Sequence, residues 1–423
     1  MSTRRPLYGW LTSEAVSITG TRVSMIALPW FVLTTTGSPG KTGLVALAEM
    51  LPMVLLKVLG GPIIDRVGPR RVSITCDLLS VLVVGSVPLL YHFGHLSFPG
   101  FLLLVAMAGA LRGPGDSAKH ALIPALVESA GVPMERATGL GSTVERGASM
   151  LGAVFAGGLI SVIGPANALI VDAGSFLLSA VVLAWATIGM GPAPREEGAA
   201  EPPYRRQLAE GWRFIQGDRV LLGIAAMVAL TNFLDIAWAT VLVPVWANEY
   251  GGGAAAIGLL FAVFGAAALA GATCAAAWGE RIPRYRTYLI AFLVGGAPRF
   301  VVMAFDSPLW AVLAVAVAGG FAAGFINPIL GAVIYERIPA ALVGRVTSLT
   351  TAMCFALMPL GGLLGGVLVS SWGLTVAMLA IGAAYFLVTM LPAVDPAWRA
   401  MDDRPERLPL AVPATERAPE AVA

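Results

Sequence analysis

The residues able to do chemistry in this chain are few, and most stand inside apolar runs. Glu14, Arg22, Arg112, Asp116, Glu145 and Asp235 are charged side chains flanked by alanine, valine, leucine and glycine. A charge in hydrocarbon is costly, so such groups mark proton relays, ion paths or polar anchors for a bound molecule. Their spacing is helical. Glu14, Ser17, Thr21 and Ser24 follow one another at three, four and three residues, which is one helix face. Thr231, Asp235 and Trp238 follow at four and three, with Asn232 beside them, and Arg22 stands one position off the first stripe. Arg112 and Asp116 are four apart and able to pair with each other. Glu49 and Lys57 read as a second structural pair, while Arg146 and Arg299 read as groups that snorkel or bridge helices. Asn327, near Gly320 and Gly324, is the polar position of a later run. Asp235 leads as a carboxylate that could take and release a proton, with Glu14, Asp116 and Glu145 behind it.

Other chemistries lack their residues. No Gly-x4-Gly-Lys-Ser/Thr run occurs, so no nucleotide loop powers the protein. Cys76, Cys274 and Cys354 lie in or beside apolar runs, and neither a disulfide framework nor a metal set follows from three such positions. Neither metal, cofactor nor enzymatic activity is expected.

The elements that must position these groups follow from composition. Of 423 residues 57% are hydrophobic and 12% charged, against about 45–50% and about 25% in soluble domains. Mean hydropathy is +0.81. A soluble enzyme, a nucleic-acid binder and a disordered scaffold are excluded, which leaves an all-α polytopic membrane protein. Apolar runs between turn and charge signals give twelve spans, at 7–36, 41–63, 72–92, 98–124, 136–163 and 166–189, then 219–248, 255–278, 286–305, 309–335, 346–371 and 373–392. Residues 190–218 form a linker, and a Pro-rich charged tail from 393 to 423 is expected to be disordered.

Charge sets the orientation. With both termini cytoplasmic, 21 of the 27 Lys and Arg fall inside, Lys119 and Arg136 of the 4–5 loop among them. Lys41 alone falls outside, and five lie within spans. The excess of arginine over lysine is the codon usage of a GC-rich bacterial genome, so the expected location is a bacterial plasma membrane.

The chain also repeats itself. At an offset of 215, Asp65-Arg66-Val67 matches Glu280-Arg281-Ile282 and Pro29 matches Pro244. At an offset of 209, Arg136, Gly152, Gly157, Ser161 and Gly164 match Arg345, Gly361, Gly366, Ser370 and Gly373. Two six-helix halves in the same orientation follow, residues 1–189 and 219–392, as in parallel repeats around an axis along the membrane normal.

The loop after the second span, Gly61-Pro62-Ile63-Ile64-Asp65-Arg66-Val67-Gly68-Pro69-Arg70-Arg71, resembles the loop signature of the major facilitator superfamily. Ala27-Leu28-Pro29-Trp30, Ile123-Pro124-Ala125-Leu126-Val127 and Gly344-Arg345-Val346 resemble its drug–proton antiporter branch, which includes macrolide-efflux and enterobactin-export proteins. The resemblance implies a monomeric carrier in the lipid bilayer that exports a hydrophobic or amphipathic small molecule in exchange for protons. It implies a cavity lined by spans 1, 4, 7 and 10, and a cytoplasmic gate in which Asp65 meets the start of span 11, with Gly61, Arg66, Gly68, Arg70 and Arg71 shaping that loop. Uptake of a polar nutrient is the alternative reading. A membrane-embedded enzyme or sensor is a weaker one, since no catalytic cluster and no sizeable soluble domain are present.

Overall fold

The computed structural model describes residues 4–190, 204–250, 252–278, 281–338 and 342–402. Among them there is no strand. Eleven helices are long and apolar enough to cross a bilayer. The last of these holds two spans, because Gly373 leaves helical geometry inside it, so the chain crosses twelve times. Spans 1 to 6 are Arg5–Thr36, Pro39–Leu59, Pro69–His92, Phe98–Ala121, Met134–Ile163 and Pro165–Ala186. Span 7 runs Arg219–Ala237, continues through a π-helical turn at Trp238–Leu242 and ends as Val243–Glu249. Span 8 is Gly253–Trp278, span 9 is Arg284–Gly295 with Ala297–Ala304, and span 10 is Leu309–Arg337. Span 11 runs from Val343–Ala356 to the bend in Met358–Val394, and span 12 is the remainder of that helix.

Local sequence explains the breaks. Pro244 has no N–H to give the preceding turn, and the widened π turn lies just before it. Span 9 breaks at Gly296, where a side chain would press on the Phe292 carbonyl and the Tyr385 ring. The repeat is legible in backbone geometry. Gly164 joins spans 5 and 6 at φ 79°, ψ 162°, and Gly373 joins spans 11 and 12 at φ 78°, ψ 170°. Both turns need the left-handed φ that only glycine adopts freely.

The halves meet along two seams of small residues. Spans 2 and 11 pack through Gly40 and Gly43 against Gly362 and Gly366, and spans 5 and 8 pack through Ala153 and Gly157 against Ala254 and Gly258. The seams are related by the repeat, since Gly43 corresponds to Gly258 at the offset of 215 and Gly157 to Gly366 at 209. A methyl group on Gly258 would lie 2.8 Å from the Gly157 Cα, so the backbones touch. Small residues permit this where lipid gives no hydrophobic drive. Both seams lie toward the face that holds the short turns at Gly37, Gly164 and Gly373. The opposite face carries Arg66, Arg70, Arg71, Arg281, Arg286 and Arg337, and is called here the arginine-rich face. Toward it spans 5 and 8 draw apart. Met150 and Gly265 are in ordinary contact, at 3.9 Å from a built Cβ, and both line a cavity that reaches from Ala153 and Phe261 on the seam side to Glu145 and Leu269 on the other.

One expectation about the connections differs from the structure. Residues 393–402 are ordered. Span 12 runs to Val394 and a 3₁₀ turn follows at Pro396–Met401. Trp398 and Met401 are buried, and Trp398 stacks on Tyr288 and fills the space left by Gly223. Arg337 donates to the Ala400 carbonyl at 2.7 Å and pairs with Asp218 at 3.0 Å. The apolar anchors Trp398 and Met401 outweigh the Pro-rich composition around them. The rest of the predicted tail, 403–423, lies outside the described residues, as do 191–203 of the linker; its remainder holds a helix, Tyr204–Gly217, whose Ile215 packs against Leu221 and Val346.

Candidate functional site

A cavity of about 370 Å³ lies between the halves. Span 1 gives it Arg22, Met25 and Ile26, and span 5 gives Glu145, Arg146, Ser149, Met150 and Ala153. Span 7 gives Ala239 and Thr240, and span 8 gives Phe261, Phe264, Gly265, Ala268 and Leu269. Its walls are thus spans 1, 5, 7 and 8, not the expected 1, 4, 7 and 10.

Of the predicted polar groups, Arg22 and Glu145 reach this cavity. Arg22 donates from Nη2 to the Ser149 hydroxyl at 2.8 Å and from Nη1 to the Met25 sulfur at 3.4 Å. Its stem lies against span 5 where Gly152 has no side chain, a built Cβ there being 3.2 Å from Arg22 Cβ and Cγ. The rest of the span 1 stripe turns away. Glu14, Ser17 and Ser24 are buried inside the first half, and Ser24 donates to Asp172 of span 6. Arg22 is one residue, about 100° of rotation, from that face.

The first half holds a ladder of buried polar groups. Arg112 pairs with Glu49 of span 2 at 3.0 Å, so the expected Arg112–Asp116 and Glu49–Lys57 pairs do not form. Asp116 has its carbonyl bonded by His120, and the Lys57 ammonium lies 5.6 Å from the Phe355 ring centroid. Lys119, expected in a loop, is 1% exposed and pairs with Asp77 at 3.1 Å. The helix continues past it to Ala121, and its Nζ reaches inward. Ser179 joins this pair, donating to Asp77 at 2.7 Å, accepting from Lys119 at 3.2 Å and meeting Ser13 at 2.8 Å. Glu14 Oε1 is buried without a hydrogen-bond partner. Asp77 is the group that sequence reasoning passed over, although a lone acid in the 72–92 run is itself a signal.

The second half holds its charge differently. Asp235 forms an ion pair with Arg299, with side chains 38% and 12% exposed. The Arg299 guanidinium lies 4.6, 4.8 and 4.9 Å from the ring centroids of Trp238, Phe300 and Tyr385. Trp238 therefore belongs to this aromatic box and not to the cavity wall. Nothing in the sequence marks Tyr385. Asn232 donates to the Cys354 carbonyl of span 11 at 3.0 Å, and Asn327 is exposed on span 10.

In the loop after span 2, Gly61–Val67 is a short helix, and Gly68 holds φ 94° before span 3 begins. Arg70 donates to the Thr187 hydroxyl at 2.7 Å and to the Ala184 carbonyl at 3.1 Å, which ties the loop to the end of span 6. Arg66 and Arg71 are exposed. The side chains of Asp65 and Arg345, on which the expected gate rests, lie outside the described residues.

Comparison with known proteins agrees with this architecture. Residues 6–413 match the transmembrane secretion effector family. The chain is 30% identical over 415 residues to the multidrug efflux pump Tap of Mycobacterium tuberculosis, covering 96% of this chain and 97% of that one. It is 28% identical over 402 residues to the Tap pump of Mycolicibacterium fortuitum, covering 94% and 98%. Among solved structures, the fold matches the nucleoside transporter NupG at a TM-score of 0.69 and 14% identity, over 94% and 98% of the two chains. It also matches a bacterial homolog of the human lysosomal transporter Spinster at 0.63 and 14%, over 95% and 94%. The chain therefore belongs to the transmembrane secretion effector family within the major facilitator superfamily, as a multi-pass membrane transporter and not an enzyme.

Proposed function

We propose that this transporter exports amphipathic small molecules across the cell membrane by alternating access, in exchange for protons. The observation that carries the reading is the cavity between the halves, bounded by the glycine seams toward one face. Positive charge collects on cytoplasmic loops, so the arginine-rich face is the cytoplasmic one and both termini lie there. In this reading the seams close the cavity toward the outer face, the arrangement from which cargo would load from the cytoplasm. The wall of methionine, phenylalanine and leucine suits an apolar body, and the Tap relatives are named as multidrug efflux pumps.

Proton coupling is assigned to Asp235. Its carboxylate is the more exposed partner of a pair whose guanidinium is boxed by three rings. Protonating it would release Arg299 from that carboxylate and bias one packing of spans 7 and 9 over another. The test is Asp235→Asn in inverted vesicles with a fluorescent cargo. Gradient-driven accumulation is expected to be lost, while exchange at equal pH on both sides survives. Accumulation with an unaltered pH dependence would remove Asp235 from this role and shift it to Glu145, the carboxylate in the cavity wall.

A further inference from the structure

We propose that the central cavity selects amphipathic cargo bearing an anionic group, a carboxylate, sulfonate or phosphate, and that Arg22 is the residue that binds it. The proposal rests on the cavity being the cargo site, and it adds what the cargo must carry.

Arginines within the spans divide into two kinds. Arg112 meets Glu49, and Arg299 meets Asp235. Arg22 makes no ion pair with any described residue, and its two hydrogen-bond partners, Ser149 and Met25, are neutral. A guanidinium has five N–H donors; Arg22 Nε is buried without a partner, as are Arg112 Nη2 and Arg299 Nε, so what sets Arg22 apart is the absence of a paired carboxylate. An intramembrane cation is expensive unless nearby charge offsets it, and the acid that shares this wall with Arg22, Glu145, is exposed and makes no ion pair with it. Of the four arginines within spans, Arg22 and Arg146 line the cavity between the halves, and of these two Arg22 is the partly buried one while Arg146 is exposed.

The placement is built rather than incidental. Gly152 clears room for the stem, and Ser149 holds the head. The fold itself does not require the residue, since the position corresponding to Arg22 at the offset of 215 is Ala237. Formal charge in the wall is positive, with Arg22 and Arg146 set against Glu145. The same cavity wall carries the apolar side chains of Ile26, Met150, Phe261 and Phe264. A fork of N–H donors bonds an oxyanion in two places at once, which neutral cargo cannot match.

The experiment compares two probes that share one apolar body. These are 8-anilinonaphthalene-1-sulfonate and the uncharged N-phenyl-1-naphthylamine. Each is titrated by fluorescence against the full chain in nanodiscs, with empty nanodiscs subtracted. The parent is expected to bind the sulfonate at least about tenfold more tightly than the amine, a gap of about 1.4 kcal/mol. Arg22→Gln is expected to bring that ratio to about one. Arg22→Lys, which keeps the charge and loses the fork, is expected to fall between, and it serves as the test if Arg22→Gln fails to fold. A ratio near one in the parent, or a ratio that survives either substitution intact, overturns the proposal. Transport of the amine in inverted vesicles separates this from the export reading. If the amine is accumulated and the ratio is near one, the anion site fails and export stands. If the ratio depends on Arg22 and neither probe is accumulated, the anion site stands and export fails.

Discussion

The two halves place their helices alike and their charges differently. At the depth where the second half carries Asp235 on span 7, the corresponding residue of span 1 is Gly20. A side chain there would overlap Ser175 and lie 2.5 Å from an Asp172 oxygen, so in the first half a carboxylate from span 6 occupies that space. Asp235 has an arginine and three rings around it, whereas Asp172 has the hydroxyls of Ser24 and Ser175. Below Asp172 the first half continues its polar ladder through Ser13, Ser179, Asp77 and Lys119, binding spans 1, 3, 4 and 6 together. The second half fills its interior with Tyr288, Phe292, Phe300, Tyr385 and Trp398. One repeat is held inside by directional hydrogen bonds and the other by ring packing around the Asp235–Arg299 pair. The comparison teaches that duplication fixed the seams and turns, while the interior of each half was free to diverge.

The largest expected effect falls on the ladder. Lys119→Met leaves Asp77 as a buried charge without its cation, at a cost of about 3–5 kcal/mol. The thermal midpoint of the purified protein is expected to drop sharply, and Asp77→Asn added to Lys119→Met is expected to recover most of the loss. A single substitution that unfolds at the parent temperature would show that the first half does not depend on its polar core.

The seams are the shared feature, and breaking one sharpens the contrast. Gly258→Val pushes a side chain into Gly157 and the Ala153 carbonyl, backbone atoms that cannot rotate away. Overpacking of this kind costs about 1–3 kcal/mol, here charged to the state in which the seam is closed. Cargo accumulation in inverted vesicles is expected to fall about tenfold or more at equal expression. Gly147→Ala, on the same span as Gly157 but with nothing within 4 Å of a built Cβ, is expected to leave accumulation near the parent value.

A smaller effect, several-fold on transport, is expected for Asp65→Asn. The variant should insert normally, because Gly68 and Arg70 shape the loop through backbone geometry and contacts to span 6. Transport equal to the parent would reduce Asp65 to an anchor.

Much of this was legible in the residues. The spans, the loop charges and the paired glycines predicted twelve helices and the repeat, and Gly164 and Gly373 adopt nearly the same backbone angles. Pairing partners were not legible, because they depend on how each helix is rotated. Arg112 lies one turn from Asp116 yet points at Glu49, and Lys119 stands near a helix end yet turns inward. The polar stripe of span 1 faces its own half, and Arg22, one residue away, faces the cavity. The ordered segment at Pro396–Met401 was hidden by a composition rich in proline and charge, although Trp398 is the kind of anchor that orders such a segment.

Alternating access across the two seams is the central claim, and one distance measurement tests it directly. With Cys76, Cys274 and Cys354 replaced, spin labels are placed as two pairs on spans 5 and 8. Thr143 with Thr273 reports the arginine-rich end, and Val162 with Leu259 reports the seam end; all four positions are exposed. On adding transported cargo, the first distance is expected to shorten and the second to lengthen in the same sample. If both distances stay fixed in labelled protein that still accumulates cargo, the halves do not rock about this cavity and the account is wrong.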